Sequence, residues 1–130
     1  MTDTKEELKE MCQNMANRLR MFLDDMLYDT ESGDMVFRSS LPDDYDENRY
    51  CDLEYYLDDN YGVKCITELS TKDLYGAEIC MAWGGPNVYI ETRDSYVRGY
   101  WGSDVVEVPL SYEVSDRIND FVEEWMECYR

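Results

Sequence analysis

Apolar side chains at Leu8, Cys12, Met15, Leu19, Phe22 and Met26 recur at steps of four and three, the spacing that gathers them on one side of an α-helix. Thr4 and Glu7 read as a capping box at its start, so the pattern predicts a helix over residues 4 to about 28. Residues 29–34, with Ser32-Gly33, break it, and Met35-Val36-Phe37 fits either a short strand or an apolar tether ahead of Pro42. Leu53, Tyr56 and Leu57 resume helical spacing and Asn60-Tyr61-Gly62 supplies a stop, which predicts a short helix over about 48–60. After Gly62 the period changes to two. Residues 63–69, 75–83, 87–92 and 96–101 are rich in β-branched and aromatic side chains, with turn material at Ser70-Thr71-Lys72-Asp73, Gly84-Gly85-Pro86 and Arg93-Asp94. Such short connections imply an antiparallel meander. With Arg93-Asp94 as a turn, Ile90 faces Val97 on the core side, while Glu91 faces Tyr96 and Tyr89 faces Arg98 on the other. Pro109 closes the strand region, and Ser111 caps a last helix striped by Val114, Ile118, Phe121, Val122, Trp125 and Tyr129. The expected fold is α+β: one domain over residues 1–130, a four-stranded antiparallel meander packed with N-terminal, short middle and C-terminal helices. No internal repeat and no long linker interrupts it.

Charge changes this picture more than any motif. The chain has 30 Asp and Glu against 12 Lys and Arg, a net of −18 with no histidine. Self-repulsion of that size does nothing for a fold, so the acid points to a partner or to solubility. A hydrophobic content of 44% excludes the composition of a disordered chain. Adaptation to high salt also yields an acidic skin, but 12 Tyr, eight Met and five Cys are a richer apolar load than that requires. The cysteines, at 12, 51, 65, 80 and 128, are odd in number and widely spaced. With no basic-plus-apolar leader at the start and no long apolar run, they suggest reduced thiols in a cytoplasm.

Several kinds of chemistry drop out. Without histidine, Ser-His-Asp and Cys-His arrangements cannot be built, and the commonest general base is missing. Paired carboxylates remain, but so many acids guarantee pairs at any separation. Asp44-x-Asp46-x-Asn48 matches the start of a calcium loop, yet Arg49 stands where that loop needs glycine and Tyr55 where it needs glutamate. Gly84-Gly85-Pro86-Asn87 lacks the lysine of a phosphate cradle and reads as a hairpin turn. Direct nucleic-acid binding is disfavoured by the shortage of Lys and Arg. No cofactor and no enzymatic activity are expected.

The same physics inverted is more informative. Residues 41–59 carry eight carboxylates, Asp43, Asp44, Asp46, Glu47, Asp52, Glu54, Asp58 and Asp59, against one Arg. Carboxylates on a rigid scaffold can occupy a basic channel built for DNA. The last helix offers a second acidic face with Glu113, Asp116, Asp120, Glu123, Glu124 and Glu127. A third surface is the sheet face away from the core, with Glu78, Tyr89, Glu91, Tyr96, Arg98 and Tyr100, where rings supply contact area and acids steer a basic partner.

In size, charge and α+β make-up the whole chain resembles the small acidic proteins of phages and mobile elements, among them anti-CRISPR and anti-restriction proteins that mimic DNA. The stretch from Met81-Ala82-Trp83-Gly84-Gly85-Pro86-Asn87-Val88-Tyr89-Ile90 through Arg98-Gly99-Tyr100-Trp101-Gly102 has the look of a family signature, from which no site residues are carried over. The resemblance implies a stoichiometric inhibitor that covers the DNA- or PAM-binding surface of a host nuclease, first among them a CRISPR effector, whose PAM is read by arginines. The candidate partner-binding residues are the eight carboxylates of 41–59 with Tyr89, Glu91, Tyr96 and Tyr100. An acidic adaptor that binds another basic protein without DNA competition, and an enzyme with a carboxylate-bound metal, are the alternatives.

Overall fold

A computed structural model describes residues 4–128. The first helix, α1 (Thr4–Met21), buries Leu8, Cys12, Ala16 and Leu19 as the stripe predicts. It stops about two turns short of the expected end. A single 3-10 turn, Phe22–Asp24, leads to Asp25 in the left-handed region (φ 58°), and the chain then runs extended as β1 (Met26–Asp29). Aspartate tolerates that conformation better than most residues. Thr4 is itself helical, and its hydroxyl donates to Asp104 (3.0 Å), tying α1 to the last strand.

Two antiparallel sheets replace the single four-stranded meander. The small one has the order β2–β1–β3, where β2 is Met35–Phe37 and β3 is Tyr50–Cys51. Periodicity misses it because two of its strands are only two or three residues long and pairing, not pattern, defines them. The large one is a five-stranded meander of β4 (Val63–Thr67), β5 (Leu74–Ala82), β6 (Asn87–Glu91), β7 (Tyr96–Trp101) and β8 (Asp104–Pro109), in sequence order. Its extra strand follows Trp101 through the two-residue link Gly102-Ser103, with Gly102 at φ 62° as a tight hairpin requires. Pro109 ends β8 without cost because β8 is an edge strand, where a missing N–H leaves no ladder bond unmade. The pairings Ile90 with Val97, Glu91 with Tyr96 and Tyr89 with Arg98 are those expected.

The middle helix, α2 (Leu53–Asp58), is half the expected length, since Tyr50–Cys51 is spent on β3. Asp52 caps it by accepting the Tyr55 N–H at 2.9 Å. The last helix, α3 (Tyr112–Cys128), is capped by Ser111, whose hydroxyl accepts the Val114 N–H. Val114, Ile118 and Val122 are buried, while Tyr129 lies outside the described residues. Helix α1 lies across β7 and β8, and α3 against β5. Together they cover one face of the large sheet, where Ala77, Ile79, Val88, Ile90, Val97, Val106 and Val108 form the core. Gly99 lets α1 approach: a Cβ there would stand 2.6 Å from Leu8 Cδ1. Among the described residues no helix is long and apolar enough to cross a membrane.

Candidate functional site

The acidic limb, residues 41–59, is anchored from behind. Asp29, at the end of β1 and buried, accepts two bonds from the Arg49 guanidinium (3.0 and 3.1 Å) and further bonds from the Glu31 N–H and the Ser32 hydroxyl. Its hydrogen bond to Arg49 holds the Asp29 carboxyl far below the usual carboxylate range, overcoming the opposing effect of burial. Arg49 also meets Glu31 (3.1 Å) and lies over the Tyr50 ring (4.8 Å). The one positive charge within the limb is thus already paired with carboxylates outside it, and the limb's own acids are left facing solvent.

Glu47, Asp52, Glu54 and Asp58 line one hollow of about 310 Å³, together with Tyr45, Tyr50, Tyr55 and Arg38. Tyr45 and Tyr50 pack edge to face (6.2 Å, 82°), and Arg38 is engaged by Asp25 (3.0 Å) and the Tyr45 hydroxyl (2.9 Å). Carboxylates beside tyrosine rings suit a guanidinium or ammonium, which gains charge-assisted hydrogen bonds from the former and cation–π attraction from the latter. The other four limb acids stand apart from it. Asp43 and Asp44 are exposed on the approach, Asp46 accepts the Asn48 N–H (2.9 Å) in a local turn, and Asp59 lines a neighbouring hollow with Tyr28 and Tyr56. The calcium-like triplet is therefore used locally, and among the described residues no three His, Cys, Asp or Glu side chains stand close enough together to hold a metal ion. Sequence reasoning missed Tyr45, Tyr50 and Tyr55. They recur every five residues, a step that belongs to neither helix nor strand and so gave no signal.

The uncovered face of the large sheet brings together all six residues expected there. Glu78, Tyr89, Glu91, Tyr96, Arg98 and Tyr100 line one shallow hollow of about 210 Å³. Arg98 organises it: the guanidinium donates to Glu107 (2.9 Å), to the Tyr100 hydroxyl (3.2 Å) and to the Tyr96 hydroxyl, and lies 4.5 Å from the Tyr96 ring centroid. Burial alone would lower the Arg98 pKa, but its bonds to Tyr100 and Glu107 outweigh that and raise it. Burial also pushes the Tyr89 and Tyr96 phenols up.

Glu91 has a different job from the one its position suggested. Its carboxylate is buried and accepts the N–H groups of Arg93 (3.3 Å) and Asp94 (2.9 Å), closing the β6–β7 loop. That loop is pinned to α3 as well, through Thr92 to Asn119 (2.7 Å) and Ser95 to Ser115 (2.9 Å). Beyond Tyr89 the face continues into a hollow with Tyr61 and Trp83, which are 69% and 64% exposed and extend the aromatic surface. Neither was singled out from sequence, because a ring beside a turn has no periodic partner to betray its direction.

The third candidate surface, the outer side of α3, presents Glu113, Asp116, Asp120, Glu123, Glu124 and Glu127 to solvent. No family model, curated protein or solved structure matches the chain.

Proposed function

We propose that this protein acts by binding rather than by turnover, as an anti-CRISPR-like inhibitor that occupies a basic DNA- or PAM-reading surface of a host nuclease in the bacterial cytoplasm. The observation that carries the reading is the hollow of Glu47, Asp52, Glu54 and Asp58 lined by three tyrosines, on a chain of net charge −18. An arginine that reads a base or grips a phosphate finds there the negative charge and hydrogen-bond acceptors it would take from DNA. Anchoring by Asp29 and Arg49 keeps the limb ordered, so little conformational entropy is lost on binding.

The test is competition. Purified CRISPR effector nucleases are incubated with the protein, and target DNA binding is followed by gel shift. Inhibition should weaken steeply with salt and be relieved by excess PAM-bearing duplex. Two charge-removing sets, Asp43→Asn/Asp44→Asn/Asp46→Asn/Glu47→Gln and Glu47→Gln/Asp52→Asn/Glu54→Gln/Asp58→Asn, should reduce it. The second set should reduce it more, and neither should lower Tm, since repulsion is relieved and Asn also caps α2. Unchanged inhibition in both sets would remove DNA mimicry by the limb. The second reading, an adaptor that binds a basic protein without DNA competition, is favoured by the aromatic sheet face around Arg98. Loss of partner binding in Tyr89→Ala or Tyr100→Ala, with the limb variants unaffected, selects it.

A further inference from the structure

The two edges of the large sheet are unlike each other. At one edge β8 carries Asp104 and Glu107, ends in Pro109 and is flanked by α1, features that discourage further pairing. At the other, β4 pairs among the described residues with β5 alone. The direction of its free backbone groups follows from β5. Ala77 turns its carbonyl and N–H toward Thr92 on the β6 side (3.0 and 2.8 Å). Cys65, its partner on β4, therefore lies at a non-hydrogen-bonded position of the ladder, and the Cys65 N–H and C=O point away from the sheet. Val63, two residues back, points the same way. Beside this edge, between β4 and the C-terminal part of α3, runs a groove of about 740 Å³ lined by Val63, Cys65, Val122, Trp125 and Met126, with Asp58 of the acidic limb at its rim.

The geometry points to strand addition at β4: an extended segment of a partner protein, apolar at alternate positions and basic between them, pairs with the outward groups of Val63 and Cys65 and lays its apolar side chains in the groove against α3. Backbone pairing supplies affinity in this mode, and the pockets for alternate side chains supply choice. The side chains between the apolar ones point to the open face of the sheet, and their basic character follows from the chain's net charge of −18, which draws a basic segment to this edge. A second copy of this chain is the poorer occupant, since it brings another −18 to the same edge. The surface is separate from the limb hollow except at Asp58, and the inference stands or falls independently of DNA mimicry.

The probe is a short synthetic peptide alternating valine and arginine, titrated into isotopically labelled protein and followed by NMR and amide exchange. The Val63 and Cys65 amides should become slow to exchange. N-methylation of the peptide along one of its two edges should weaken binding by about tenfold, the loss of two or so backbone hydrogen bonds, while N-methylation of the opposite edge should not. Cys65→Pro, which deletes an outward donor at an edge position, should act like the first. The peptide arm stands even if that variant does not fold. Binding insensitive to N-methylation on either edge, or abolished by Asp43→Asn/Asp44→Asn/Asp46→Asn/Glu47→Gln, would mean charge attraction alone and overturn the proposal. So would unprotected Val63 and Cys65 amides at saturating peptide. Protection of those amides without peptide, together with a dimer by sedimentation, would assign the edge to a second copy and overturn it too.

Discussion

Gly99 decides how closely α1 lies on the sheet. A Cβ at this position would stand 2.6 Å from Leu8 Cδ1, 2.9 Å from Leu8 Cγ and 2.7 Å from Cys12 Sγ. Leu8 and Cys12 are fully buried, so neither can give way into solvent. Overpacking of this kind costs about 1–3 kcal/mol. Against it, removing a strand glycine returns about 0.5–1 kcal/mol through the unfolded chain. Gly99→Ala should therefore destabilise by about 1–2 kcal/mol. At about 2.1 cal/mol/K of unfolding entropy per residue, 130 residues give roughly 270 cal/mol/K, so Tm should drop by about 4–7 °C. Circular dichroism melts read this directly. A double-mutant cycle sharpens it: Cys12→Ala alone costs about 1 kcal/mol, but in the double variant the new methyl uses the space the sulfur leaves. The combined loss should fall short of the sum by about 0.5–1 kcal/mol. An unchanged Tm for Gly99→Ala, or strict additivity, would refute the packing of α1 on β7.

The Asp29 carboxyl is held below its unfolded pKa, so the folded chain binds fewer protons in that window and the pair's contribution to stability is complete above about pH 4 and lost as pH falls toward the folded value. Asp29→Asn should flatten the acid side of the stability–pH curve measured by urea unfolding, and superimposable acid limbs would show that Arg49 does not hold it. Burial pushes the Cys12 thiol up to about 11 and also raises that of Cys51. Burial raises the Cys65 thiol too, so access decides the pattern: iodoacetamide should label the exposed Cys65 and Cys128 in the native protein, spare the buried Cys12, Cys51 and Cys80, and reach all five only in denaturant. Melts with and without reductant should coincide, and mass spectrometry showing native labelling of Cys12 would contradict the core described above.

The sequence by itself determined the elements in which local periodicity and local chemistry agree. Helix α3 has a Ser111 cap and an unbroken apolar stripe, and β6 and β7 have alternating side chains joined by a turn, so the Ile90–Val97 register and the six residues of the open face are legible in the sequence alone. The acid was legible too, as composition. Tertiary structure decided everything that depends on a distant partner. Helix α1 ends at Met21 although Met26 continues its stripe, because Asp25 turns left-handed and the next residues gain more by pairing with Met35–Phe37. Strand β8 includes the proline that reads as a strand breaker, because only the whole sheet makes it an edge. The site divides in the same way. A run of carboxylates is visible in sequence, but that four of the eight line one hollow is a tertiary fact, in a limb held by the bond between Arg49 and Asp29, twenty residues upstream of it.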